Sequence, residues 1–250
     1  MSIIHTFDSE SQEIIDPKAA IQKIEGFPET VVAVWSQKFA DCLSRLFTPE
    51  QISFMIAGSV VPIYRVQYNG KWLGFYQSPI GGPTSAALLE EIIAKGGKNI
   101  LFFGSCGSLN KEITSGNLIV PTAAYRDEGT SYHYAPAADY IEVRTADALS
   151  AIFDELKIAY QKGKIWTTDS FYRETVKNME ARKQDGCIAV EMECASVMAC
   201  GQFRGINVYE FLYAADCLDG NTWDTRILGN MPTDLRERIL RVALETAVRL

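Results

Sequence analysis

The sequence predicts an α/β fold, a central β-sheet with helices packed on its faces, on three observations. Short β-rich apolar runs alternate with segments of helical spacing from residue 30 to the end of the chain. Those runs are apolar along most of their length, as strands buried on both faces are. Hydrophobic residues make up 47% of the chain and charged residues 22%, a globular balance. A length of 250 residues is enough for one large core or two small ones. With no linker, repeat or low-complexity stretch in view, 1–250 is expected to be a single domain.

The elements follow in order. "TVVAVW" at 30–35 predicts a buried strand, and Phe39, Cys42, Leu43 and Leu46 continue it at helical spacing. The stretch from "PIYRVQY" to "KWLGFYQ" alternates on either side of Asn69-Gly70, which predicts a hairpin. "TSAALLEEIIAKGG" predicts a helix closed by glycine, and "NILFFGSCGSL" a strand running into a glycine-rich turn. Next come a strand in "NLIVPTAAY", a helix over 147–161, a strand in "GKIWTTDSF" and a helix over 173–184. The chain closes with a strand at 187–191, a helix at 193–204, a strand at 206–215 and a helix at 232–249. In such a fold, active residues are expected at strand ends.

Charge and cysteine usage exclude several classes. The net charge is −7 and no long basic run occurs, which argues against a nucleic-acid partner. The start, "MSIIHTFDSESQ", lacks the basic and apolar regions of a signal peptide, and no stretch of about 18 apolar residues predicts a membrane span. Six cysteines without a CxxC, and only two histidines, offer no metal-ligand cluster. Reduced thiols, no metal and a cytoplasmic location are expected.

Four turns could carry chemistry. In "FFGSCGSL", Gly104 and Gly107 allow close backbone approach and Ser105 supplies a hydroxyl; a tight structural turn explains the same residues. "TTDSFY" sets Phe171 and Tyr172 just after a strand, where an aromatic ring stacks on a base or fills the core. "YAADCLDG" ends a strand in Asp216, either a helix N-cap or an acid/base. "AVEMEC" puts Glu191 and Glu193 where a strand meets a helix, and a buried carboxylate there costs several kcal/mol without a partner.

Taken together, GSCGSL, RDEGTSYHY, DSFY, VEME and AAD resemble, in their order and spacing, the nucleoside phosphorylases of the purine nucleoside and uridine phosphorylase type. "RDEGTSYHYAP", "TTDSFYRET" and "WDTR" resemble a less characterised branch of them. The resemblance covers about residues 30 to 220 and implies a three-layer sandwich around a mixed sheet. By resemblance, Met192 packs on the sugar and Glu193 accepts from its hydroxyls. By the same resemblance Phe171 and Tyr172 lie beside the base and Cys106 and Gly107 form the wall of its pocket; Glu191 is expected only to cap or salt-bridge. Ser105 touches phosphate, and Asp216 protonates a purine at N7.

The departures fall on the phosphate site. The family's Gly-Asp-Pro-x-Arg loop is matched by Val34-Trp35-Ser36-Gln37-Lys38, which places Lys38 at the arginine. A second arginine of the family is Phe102 here, and a third falls near Ser59. Lysine is a point charge and not a bidentate fork. The uridine-type glutamine and arginine are replaced by Thr175 and Lys177, which with Asp216 favours a purine over a pyrimidine.

Three readings stay open. The first is phosphorolysis of a purine nucleoside at a rebuilt phosphate site of Lys38, Ser105 and Arg126, with inorganic phosphate as cosubstrate and no cofactor. The second is hydrolysis, with Glu128 a stand-in for the water-activating glutamate, although Arg126 and Asp127 could pair within a simple turn. The third is a nucleoside binder without turnover. The resemblance also implies a homo-oligomer, a dimer or a hexamer, with His5 donated to a neighbouring site.

Overall fold

Valine-, isoleucine- and phenylalanine-rich runs build the sheet in the computed structural model, which describes residues 2–220 and 222–250. Among the described residues there are ten strands: β1 Thr30–Val34, β2 Glu50–Ile56, β3 Val60–Tyr68, β4 Lys71–Gln77, β5 Asn99–Ser108, β6 Leu118–Asp127, β7 Tyr140–Glu142, β8 Tyr160–Thr168, β9 Cys187–Glu191 and β10 Asn207–Cys217. The α-helices are α1 Pro17–Ala20, α2 Gln37–Leu46, α3 Gly82–Lys95, α4 Ala146–Glu155, α5 Val176–Gln184, α6 Cys194–Arg204 and α7 Thr233–Ala247. None of these helices is long and apolar enough to cross a membrane.

The sheet is mixed, as expected, and part of it closes on itself. Strand β5 pairs with β10 and β9, β9 with β8, β8 with β6, and β6 with β10, so five strands form a ring. From β5 an open wing continues through β1, β4 and β3 to β2 at the free edge. Phe103 of β5 stacks on Phe211 of β10 with centroids 5.4 Å apart, between Phe39 of α2 and Phe153 of α4. Burying each such ring is worth about 1.5–3 kcal/mol. The β3–β4 hairpin turns at the predicted place. Asn69 and Gly70 both take positive φ, 45° and 79°, as a two-residue turn matching the strand twist requires.

The structure corrects several boundaries. The helix expected over 147–161 stops at Glu155, because Lys157 turns left-handed (φ 55°) and Tyr160 already pairs with Leu118. The helix expected from 173 starts at Val176, where the Thr175 hydroxyl accepts the Asn178 N–H; residues 171–173 form a single 3-10 turn. Strand β10 runs on to Cys217, so Asp216 lies inside a strand. The next helix starts at Thr233, which rules out the N-cap explanation of Asp216.

Candidate active site

Position 107 on β5 is where the site is assembled. Gly107 pairs with Val190 of β9 on one side and Asp216 of β10 on the other. A Cβ there would lie 2.5 Å from Leu218 Cδ1 and 3.5 Å from Asp216 Oδ1, so glycine lets these neighbours close in. A register shift between Ala214 and Asp216 inserts one extra residue into β10 and sets the side-chain direction of Asp216. Asp216 is 9% exposed, and its Oδ2 accepts from Trp223 Nε1 at 2.7 Å. Burial raises its pKa, against the opposing pull of the Trp223 bond and the Arg226 charge. Glu174 faces the same carboxylate. Burial first, and then the charge of Asp216, lift its pKa to about 7.

The two glutamates of "AVEMEC" divide the work. Glu191 Oε2 accepts the backbone N–H groups of Glu193 (2.6 Å) and Cys194 (2.8 Å), while Oε1 accepts the Thr167 hydroxyl at 2.5 Å. It therefore caps α6, satisfying donors that a helix start leaves unpaired. Glu193 is 5% exposed and accepts the Gly81 N–H at 2.6 Å. Gly81 (φ 107°) opens α3, and Gly82 has no room for a Cβ, which would meet Ser196 Oγ at 2.2 Å. These glycines bring the start of α3 against the start of α6 and place an N–H at Glu193. Burial, and secondarily the charge of Glu191, raise the pKa of Glu193. A carboxylate offers about four acceptor sites, so Glu193 keeps capacity for ligand hydroxyls. Met192, next to it, is partly exposed.

Phe171 and Tyr172 are not core aromatics. They are 50% and 87% exposed, with ring centroids 4.1 Å apart, on the 3-10 turn that leads to Glu174. Cys106 does face the core: it is buried, its thiol donates to Tyr213 O at 3.6 Å, and burial raises its pKa. As a wall of the pocket it offers no exposed side chain. Ser105, one residue earlier on the opposite face, is exposed and lines a cavity of about 320 Å³ together with Lys38.

Arg126 cannot complete that cavity. Its Nε donates to Ser131 Oγ, Nη1 to the carbonyls of Pro136 and Ala138, and Nη2 to Ala135 O, with the guanidinium 3.9 Å over the Tyr132 ring. It ties the 126–138 loop together and is spent on that task. Asp127 accepts from Trp166 Nε1 and not from Arg126, so the alternative of an internal Arg126–Asp127 pair does not hold. Glu128 is also committed, accepting from Ser131 N–H, Ser131 Oγ and Ser196 Oγ, which removes it as a water-activating base. His5 lies in an exposed 3-10 turn, Ile3–His5. Ser59 sits in the exposed turn between β2 and β3. All six cysteines are free and buried.

Comparison with known proteins places this geometry. The model of the phosphorylase superfamily matches residues 30–247. The chain belongs to the phosphorylase superfamily. Among curated members, it is 30% identical over 163 residues to a guanosine phosphorylase of Halorubrum lacusprofundi, a match spanning 64% of this chain and 65% of that one. It is 26% identical over 186 residues to a DeoD-type purine nucleoside phosphorylase of Bacillus cytotoxicus, over 73% and 78% of the two chains. Its fold matches a Toxoplasma gondii purine nucleoside phosphorylase solved with immucillin-H, with TM-score 0.78, 20% identity and 96% and 98% coverage. A Vibrio fischeri uridine phosphorylase matches with TM-score 0.76 at 21% identity, over 96% of this chain and all (100%) of that one.

Within this superfamily fold, four side chains beside the expected site were not singled out by the sequence. Trp223 holds Asp216, although "WDTR" carries no signal of that contact. Glu174 stands two residues after the aromatic pair, near Asp216. Tyr213 and Arg236 line the cavity beside Ser105. Arg236 reads in sequence as one more polar position of a helix.

Proposed function

We propose that this chain cleaves the N-glycosidic bond of a purine nucleoside by phosphorolysis, releasing free base and (deoxy)ribose 1-phosphate. Asp216 carries the reading: a buried carboxyl whose pKa is raised by burial, at a strand position where Gly107 lets its neighbours close in around it. As the bond from C1′ to the base breaks, its electron pair moves onto the base and positive charge builds on the sugar. A protonated Asp216 donates to the purine at N7 and so makes the base a better leaving group. Met192 packs on the sugar, Glu193 accepts from its hydroxyls, and Phe171 and Tyr172 cover the base. Phosphate attacks C1′ from the side of Ser105 and Lys38. No cofactor enters these steps.

One observation favours hydrolysis: Trp35 and Phe102 fill the position of the family's second phosphate arginine, with rings stacked 5.3 Å apart. Phosphorolysis is the better reading, because no carboxylate lines the cavity at Ser105 to activate a water. A panel of nucleosides incubated with and without phosphate tests it. Purine release is expected only with phosphate, accompanied by sugar 1-phosphate. Equal release in its absence would move the activity to hydrolysis, and no release from any nucleoside would leave a binding protein.

The reading includes a homo-oligomer, a dimer or hexamer, working in the cytoplasm as a single domain. The free edge of the sheet supports it: Phe54, Ile56 and Val60 of β2 and β3 are more than half exposed there, with Ile56 at 68%. Sedimentation velocity at micromolar concentration is expected to show a species at least twice the chain mass of 27.8 kDa. A monomer alone would count against the assembly.

A further inference from the structure

We infer that Arg236, on α7, is a phosphate-binding residue that acts with Lys38, Ser105 and Tyr213 in place of the arginine lost at Phe102. The inference rests on the phosphorolysis reading proposed above.

The space over Gly104 is closed to an anion. Trp35 stacks on Phe102 at an interplanar angle of 16°, and its Nε1 donates to Ser85 Oγ at 2.8 Å. A Cβ on Gly104 would lie 2.4 Å from Trp35 Cε3, so the indole rests directly on the strand. An oxyanion that reaches the Ser105 hydroxyl must then come from the side of α7.

On that side lies the cavity of about 320 Å³, large enough for a phosphate and several waters. Its lining includes Lys38, Arg236, Ser105 and Tyr213 and no aspartate or glutamate, in a chain of net charge −7. Both cations are steered by one loop: Lys38 Nζ donates to Gly229 O at 2.5 Å, and Arg236 Nη2 to Met231 O at 2.9 Å. Among the described residues, neither is paired with a carboxylate. A guanidinium carries five N–H donors, so the bond to Met231 leaves most of the fork free. Tyr213 lines the cavity beside Ser105, and burial pushes its pKa up to about 12, so it stays a neutral hydroxyl near the charge of Arg236. Two unpaired cations and two hydroxyls around one cavity suit a phosphate dianion, which meets the guanidinium through paired charge-assisted bonds.

Calorimetric titration with inorganic phosphate tests the pocket directly, beside the KM values for phosphate and for a purine nucleoside. Arg236→Gln is expected to raise the Kd and KM for phosphate about tenfold or more, with the KM for nucleoside unchanged. Arg236→Lys should recover part of the loss. Tyr213→Phe keeps its ring in the core and should weaken phosphate several-fold, which serves if Arg236→Gln lowers the Tm. Unchanged phosphate affinity in both variants, with a parent that needs phosphate for turnover, overturns the inference and leaves phosphorolysis standing. A parent that releases base equally without phosphate overturns phosphorolysis instead. The pocket assignment then falls too if that parent binds no phosphate in the calorimeter.

Discussion

Asp216→Asn is expected to slow turnover of natural purine nucleosides by at least about a hundredfold, the low end of what a positioned general acid contributes. The amide keeps the size of the carboxyl and can still accept from Trp223, so the fold should be intact. A 7-methylated purine nucleoside or a nitrophenyl riboside needs no proton on its leaving group and should lose far less. Side-by-side rates on one variant decide the matter, and equal losses on both substrates would sink the acid role. The pH profile supplies a second check. Burial raises the pKa of Asp216, so its acid form persists to higher pH than that of an exposed aspartate and is depleted as pH rises further. Activity on natural purines should therefore fall on the alkaline side, and this limb should be absent with the methylated substrate. Glu174, with its pKa near 7, adds a second ionisation beside it, because the charges of the two carboxyls oppose each other.

Glu193→Gln is expected to raise the KM for ribonucleosides between about 10- and 100-fold, as a carboxyl with two acceptor oxygens for sugar hydroxyls becomes an amide with one. The Gly81 N–H can still be accepted by the amide oxygen, so the junction of α3 and α6 should hold. The same variant should lose less on a substrate with fewer sugar hydroxyls. Wild-type kinetics on both substrates would remove Glu193 from the sugar site. Because its native pKa lies above that of the unfolded chain, the native state holds more protons over the intervening range, and stability declines as pH rises through it. Glu193→Gln should flatten that decline in a pH series of Tm values.

Much of the architecture could be read before any coordinates, for local reasons. Asn69-Gly70 demanded a two-residue turn, and the strand at "TVVAVW" could hardly be anything else. Edge strand β2 was invisible because Phe54 and Ile56 point outward and spoil the alternation. Strand β7 is only three residues long and shows no period. Ring closure depends on residues about a hundred positions apart, a pairing no window of sequence reveals. The site divides in the same way. Glu193 and Asp216 stood in recognisable motifs, and the helix-capping role of Glu191 follows from its place at a strand–helix junction. Trp35 and Phe102 registered in sequence as missing polar groups, while their mutual stacking and the convergence of Arg236 on Ser105 depend on tertiary packing.

The pairing of β5 with β10 also governs how the chain is made. Asn99 finds its partner Asn207 only after 108 further residues have been added. At ribosomal speeds that takes about 5 to 20 s. Through this interval one edge of β5 is unpaired, with Leu101 and Phe103 awaiting cover, and an open apolar edge is a template for joining another chain. The strand that brings Asp216 is thus also the strand that ends this exposure. During synthesis, the open edge of β5 is therefore covered by the same strand that delivers Asp216 to Gly107.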